Sequence, residues 1–357
     1  MKAKNPTNER IKRTYFHHLK HADGKAEQTI RQIGRSIARY EEFTGQRDFK
    51  SFDQKQAVGF KDDLAKASMA PATIHSTLND LKRFMGWLAL QQGFKRAIRI
   101  TDIDYLNLSE KDVRAATAPA DKAFPTLQMV ERAIAAMPSA SPIERRDRAL
   151  MAFTAITGIR DGALVSLKLK HFDQVRKLVL QDPREVSTKF SKRIDTFLFP
   201  LNDAFETIFL DWVDHLQNEE LFGQNDPLFP KTALSQDDNY CFKANGLSRE
   251  HWANASPIRT IFKDAFKSVG LPEFTPHRFR NMIVSEMYRR GLSVQEFKAW
   301  SQNLGHEGAM TTLTSYGKIG LEEQGRLVRA IGNPTLGGDN LDALIAQLTA
   351  LKMIERS

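Results

Sequence analysis

The chain has 357 residues, a hydrophobic content of 41% and a formal net charge of +9. That length exceeds a single typical core, so two domains are expected, and the positive balance favours a polyanionic partner, nucleic acid first. A single cysteine, Cys241, excludes an internal disulfide framework and a thiolate metal site. No apolar run approaches the ~18 residues of a membrane span, and the polar, basic beginning holds no apolar signal core, so a cytoplasmic protein without membrane association is expected.

Residues 1–24 read as a basic arm: Lys2, Lys4, Arg10, Lys12, Arg13 and Lys20 stand against Glu9 and Asp23. Such a segment is either a solvated terminus or one that lies along phosphates. Residues 25–116 read as a small helical domain. Ile30, Ile33, Ile37 and Tyr40 recur at helical spacing, with Gly45 as the stop. Asp53 is placed to cap a second helix carrying Val58, Phe60 and Leu64. Pro71 opens the longest helix, lined by Ile74, Leu78, Leu81, Met85 and Leu88, with Gly93 as its expected end. Its other face carries Thr73, Thr77, Lys82 and Arg83, and Lys95 and Arg96 follow. A polar, basic face is ordinarily solvated; in a chain equipped for phosphate chemistry it also fits a DNA groove.

Residues 117–124, small and polar with Pro119, form the expected linker. A second domain is expected over 125–331. Helices fit Leu127–Met137 and Pro142–Thr157, the latter stopped by Gly158, with Arg160 just beyond. Val175–Leu180, Glu185–Lys189 and Ile194–Phe199 read as strands of a short antiparallel sheet. Helices return over 203–218, 257–268, 276–290 and 293–303, while 223–256 reads as loop. Residues 332–357 hold a glycine-rich tether and an amphipathic helix over 341–353, with Leu341, Leu344, Ile345, Leu348 and Leu351 on one face.

The chemistry concentrates between Phe274 and Lys318. His277 and Arg280 stand in an H-x-x-R spacing, Leu304-Gly305-His306 follows, and Tyr316 comes after a Thr-rich segment. Breaking a phosphodiester requires positive charge at the non-bridging oxygens, an in-line nucleophile and a proton for the departing 5′ oxygen. Two arginines, a lysine, two histidines and a tyrosine supply all three. No HExxH, no Walker pattern and no Asp-x-Asp cluster before a glycine-rich loop points to a metal-based route. Singly, each residue has a structural explanation: a packed tyrosine ring, a core histidine, an arginine capping carbonyls. Their order in the chain carries the argument.

That order resembles the tyrosine recombinases, the phage-integrase type of site-specific recombinase, from about Lys25 to Arg329. The resemblance implies a mainly α fold with a small antiparallel β-sheet in the C-terminal domain, built as a two-domain clamp on DNA: a helical core-binding domain and a catalytic domain. By position, Arg160 matches the first arginine, His277 and Arg280 the H-x-x-R pair, His306 the histidine of the Leu-Gly-His motif and Tyr316 the nucleophile. Lys189 matches the hairpin lysine best, with Lys192 as its rival. Asn281 stands where the family often has histidine, and His306 and Tyr316 are ten positions apart. Tyr288 precedes the Leu-Gly-His motif and is set aside.

The resemblance implies strand cutting and rejoining through a 3′-phosphotyrosine, with no cofactor and no metal, on double-stranded DNA associated with the nucleoid. It also implies a homo-tetramer on a DNA synapse, joined through the helix at 341–353. Two other readings use the same residues: a type IB topoisomerase-like enzyme, and a non-catalytic DNA-binding regulator with the same fold.

Overall fold

A computed structural model describes residues 4–118, 123–236 and 240–306. The chain divides into two compact units, Met1–Pro119 and Ala120–Ser357. Tyr316, the tether and the helix expected over 341–353 lie outside the described residues, as does half of the expected linker, 119–122.

The first unit is helical. Its segment 6–21, expected as a basic arm, is helix α1 (Pro6–His21). Asn5 caps it by accepting from the Thr7 and Asn8 amides, and Tyr15 and Leu19 are buried. Tyr15 and Leu19 are four residues apart and so share a face, which gives the segment an apolar stripe beneath its charges. Asn8 is buried too: its side chain donates to the Arg47 carbonyl (2.9 Å) and accepts from the Phe49 amide (3.2 Å), stitching α1 to the segment 47–49. Helix α2 (Glu27–Thr44) ends at Gly45, whose φ of 67° is the left-handed cap that glycine adopts without strain. Helix α3 (Gln54–Lys66) starts at Asp53, which accepts from the Gln56 amide. Helix α4 (Pro71–Ala89) has Pro71 at its first position and stops four residues before Gly93. Short helices α5 (Ile100–Ile103) and α6 (Glu110–Thr117) complete the unit. Its core is aromatic: Tyr15, Tyr40, Phe49, Phe60 and Phe84 are buried, with Phe49 edge-on to Phe84 at 5.0 Å.

The second unit is built around α8 (Pro142–Thr157), following α7 (Leu127–Ala136). Ser141 and Glu144 form a capping box at its start, and Gly158 (φ 61°) ends it. Every residue from Ala149 to Thr157 is buried, so this helix is covered on all sides and packs on α7, α10 (Asp203–Asp214) and α12 (Pro276–Arg289). Helices α9 (Asp161–Leu164), α11 (Ser256–Ser268) and α13 (Val294–Asn303) complete the set.

A three-stranded antiparallel sheet has the order β1 (Phe172–Asp173), β2 (Leu178–Gln181), β3 (Ile194–Phe197). Leu178 pairs with Phe197 and Gln181 with Ile194. The expected strand at Glu185–Lys189 is instead part of the β2–β3 loop. The Asp182 side chain accepts from the Arg184 amide and its carbonyl from the Glu185 and Val186 amides, closing a turn that leaves no ladder bonds to make. Conversely, the segment expected as loop over 223–256 contains a hairpin, β4 (Thr232–Gln236) and β5 (Phe242–Leu247). Both strands are largely exposed, so no burial alternation marks them in the sequence. Among the described residues no helix is long and apolar enough to cross a membrane.

Candidate active site

Four of the expected side chains converge in the second unit. Arg160 comes from the α8–α9 junction, His277 and Arg280 from the first turns of α12, and His306 from the turn after α13. The positioning begins with Gly158. Its left-handed backbone turns the chain sharply out of α8, and a Cβ there would stand 2.9 Å from both Ile283 Cδ1 and Leu304 Cδ2. Only glycine admits α12 and the Leu304 turn this close. The freed Gly158 carbonyl accepts from Arg280 Nη1 at 2.6 Å, and Arg280 Nη2 donates to the Leu304 carbonyl at 2.6 Å. One guanidinium, 2% exposed, therefore joins three segments that lie far apart in sequence.

Arg280 Nη2 also lies 2.9 Å from His306 Nε2. A guanidinium only donates, so Nε2 must accept; the ring is then neutral, with its proton on Nδ1. Electrostatics agree. Burial, then the charges of Arg280 and Arg160, push the His306 pKa down to about 4. The pKa of His277 is likewise lowered, by desolvation and then by Arg280, Arg278 and Arg160, with Asp161 opposing. His277 also sits in the first turn of a 14-residue helix, where the positive dipole end favours neutral or anionic neighbours. Burial and neighbouring positive charge thus act together to keep both imidazoles neutral.

His306 is fixed from below by the sheet. Gly305 (φ 70°) turns the chain over Ile194 of β3, where a Cβ would meet three Ile194 side-chain atoms at 2.9–3.2 Å. Asn303 clamps the open edge of β3: its side chain accepts from the Phe197 amide at 2.7 Å and donates to the Phe197 carbonyl at 2.9 Å. The Asn303 carbonyl accepts from the Thr196 hydroxyl at 3.1 Å. Arg160 has a neighbouring anchor, since Asp161 binds Arg259 of α11 through Nη2 (2.6 Å) and Nε (2.8 Å). Sequence reading missed Asn303 and Arg259. Asn303 reaches a strand about a hundred residues away, and Arg259 is one exposed arginine among many, so neither carries a local signal.

Lys189 and Lys192 belong to the β2–β3 loop; Lys189, exposed, opens a 3₁₀ turn (Lys189–Ser191) and Lys192, half-buried, closes it. Asn281 is half-buried, and its Oδ1 is buried without a hydrogen-bond partner. In the first unit the expected DNA-facing set divides. Thr77 is fully buried and accepts from Arg39 at 3.3 Å, because its position on α4 faces α2; it is not on the exposed face. Lys82 is engaged by Asn107 Oδ1 (2.7 Å) and Asp104 (3.4 Å). Arg83, Lys95 and Arg96 are exposed and Thr73 is half-buried.

Residues 126–319 match the phage integrase family, a span that includes all four clustered side chains and Tyr316. A λ integrase dimer (residues 75–356) bound to a COC′ core site is similar at 16% identity and a TM-score of 0.61, over 88% of this chain and 99% of that one. The Tn1549 transposon integrase (residues 82–397) in complex with transposon right end DNA is similar at 15% identity and a TM-score of 0.57, over 90% and 99%. At these identities the likeness is one of fold. No curated protein sequence matches the chain.

Proposed function

The chain belongs to the phage integrase family, and from that premise we propose that it is a tyrosine recombinase that cuts and rejoins duplex DNA. The observation that supports this reading is the convergence of Arg160, His277, Arg280 and His306 into a site where burial and then the arginine charges hold both imidazole pKa values below the ordinary range. A scissile phosphate is the anion that two such arginines suit, because a guanidinium donates to phosphate oxygens as a planar fork. Similar folds bound to DNA support the choice of duplex DNA as substrate.

In this scheme Tyr316 Oη attacks phosphorus and the P–O5′ bond breaks, leaving a 3′-phosphotyrosyl link and a free 5′ hydroxyl. His277, neutral at pH 7, accepts the tyrosine proton. Lys189 gives its proton to the departing O5′, with Lys192 as the competing assignment. Arg160 and Arg280 stabilise charge on the non-bridging oxygens, and the His306 Nδ1–H donates alongside. Rejoining is the reverse, with a 5′ hydroxyl from another strand as nucleophile. The bond energy is held in the phosphotyrosyl link, so the side chains suffice for the chemistry. Exchange between two duplexes cuts four strands, which assigns four copies to a synapse on nucleoid DNA, with segment 341–353 docking one copy to the next.

The test uses the full chain and candidate attachment-site DNA. Wild type is expected to form a covalent adduct on a denaturing gel. Tyr316→Phe, which keeps the ring and removes the attacking oxygen, is expected to bind the same DNA and form none. Adducts at wild-type level from the Phe variant would overturn the assignment.

A further inference from the structure

Glu185 lies in the β2–β3 loop, four residues before Lys189, and has no part in the scheme above. Its carboxylate is nevertheless the centre of a cluster. Lys168 Nζ donates to Oε2 at 2.9 Å, and Lys170 Nζ lies 2.7 Å from Oε2 and 3.0 Å from Oε1. His171 Nε2 stands 3.6 Å from Oε2. The His171 ring is 6% exposed, and its Nδ1 accepts from the Lys168 amide at 3.0 Å. That bond leaves the proton of the neutral ring on Nε2, the buried atom turned towards Glu185 and lacking a hydrogen-bond partner. Three donors from one 3₁₀ turn (Leu169–His171) and the residue before it are thus aimed at a single loop carboxylate.

The next residues continue the attachment. Val186 is buried in the core. The Ser187 amide donates to Ser166 Oγ at 2.8 Å, and Ser166 Oγ donates in turn to the Ala163 carbonyl at 3.0 Å. The Ser187 carbonyl lies 3.8 Å from where a Cβ on Gly162 would sit. Ala163 and Gly162 belong to α9, the helix that begins directly after Arg160. The loop is therefore pinned at 185–187 against the segment that carries the first arginine, and the lysine-bearing turn starts two residues later.

We propose that Glu185 is a positioning residue for the leaving-group proton: it fixes the β2–β3 loop against the Arg160 segment so that the loop lysine reaches O5′. The inference rests on the reading that a lysine of this loop, Lys189 or Lys192, protonates that oxygen. The carboxylate itself touches no reacting atom.

The experiment compares two DNA substrates in the full-length protein, one ordinary and one with sulfur replacing the bridging 5′ oxygen. Thiolate departs without a proton, so a defect confined to proton delivery disappears on the sulfur substrate. General acids contribute about 10²–10⁴-fold. Glu185→Gln, which keeps the shape and removes the charge, is expected to slow ordinary cleavage by about 10- to 100-fold, part of that range, and to cleave the sulfur substrate near the wild-type rate. DNA affinity is expected to be unchanged. Because each variant is its own control across the two substrates, a partly folded sample lowers both rates and leaves their ratio intact. Wild-type cleavage of the ordinary substrate, or equal slowing on both, overturns the proposal. Lys189→Ala and Lys192→Ala are measured alongside. Recovery of a lysine variant without recovery of Glu185→Gln overturns the proposal alone; failure of both lysine variants to recover overturns the general-acid reading and the proposal with it.

Discussion

The two parts of the proposed machinery are built on opposite principles. On one side Arg280 and His306 are buried, and their bonds run to backbone carbonyls and to each other across segments far apart in sequence. On the other, Lys189 is exposed in a loop tied down by ion pairs and a serine bridge at its base. The difference fits the proposed tasks. Stabilising charge on a phosphate requires donors already aimed when the charge appears, so burial and redundancy serve it. In the proposed scheme, delivering a proton requires a group that meets the leaving oxygen, which suits an exposed lysine on an anchored loop.

The sharpest way to break this comparison is Arg280→Ala. Loss of one aimed donor costs about 10²–10³-fold in cleavage rate. The variant also strips a partner from the Gly158 and Leu304 carbonyls, each worth about 1–3 kcal/mol when left unsatisfied. Lys189→Ala is expected to slow cleavage while leaving the free energy of unfolding in urea within about 0.5 kcal/mol of wild type. Denaturation curves for the two variants decide it; equal stability losses would mean that the two sides are not built differently. Arg280→Lys is not expected to restore either property, because an ammonium cannot span two carbonyls and a ring as a planar fork does.

Gly158→Ala tests the buried side with a smaller effect. The left-handed backbone costs about 1–2 kcal/mol with a Cβ. The close contacts to Ile283 and Leu304, both buried, add overpacking of about 1–3 kcal/mol. A loss of about 2–5 kcal/mol in urea unfolding is expected from these two terms; a change below about 1 kcal/mol would show that α12 and the Leu304 turn have slack.

The smallest expected effect is in pH. His306 holds a folded pKa of about 4 against the ordinary 6.5, so the unfolded chain takes up its proton first as pH falls. Its contribution to stability is complete above about 6.5, is lost progressively towards 4, and changes no further below that. His171, His251 and His277, also lowered, act in the same direction. The Glu185 carboxylate, lowered to about 2 by its lysines, acts in the more acidic window below the ordinary carboxylate range. The urea midpoint should fall between pH 7 and pH 5, and His306→Asn should fall less. An identical slope in the variant would mean that His306 is not held neutral by burial and the arginines.

The amino-acid sequence by itself determined the local punctuation and the order of the chemistry. Asp53 as a helix cap, Pro71 and Pro142 at first helical positions, and Gly45 and Gly158 as stops act within one turn of the residues that encode them, and each is found where the sequence puts it. The arginine, H-x-x-R and Leu-Gly-His motifs were legible for the same reason: each is a short run. Tertiary structure decided everything that depends on a partner distant in the chain. It turned a basic terminus into a packed helix through Tyr15 and Leu19, and it buried Thr77 against α2. It formed a hairpin from polar strands that pair with each other more than with the core. Above all it chose which of many arginines and asparagines would reach the site. Arg280, Asn303 and Arg259 act through contacts that span between 24 and 122 residues of chain. Such contacts exist only after the helices have packed, because loop closure over that length is repaid only by the burial it permits.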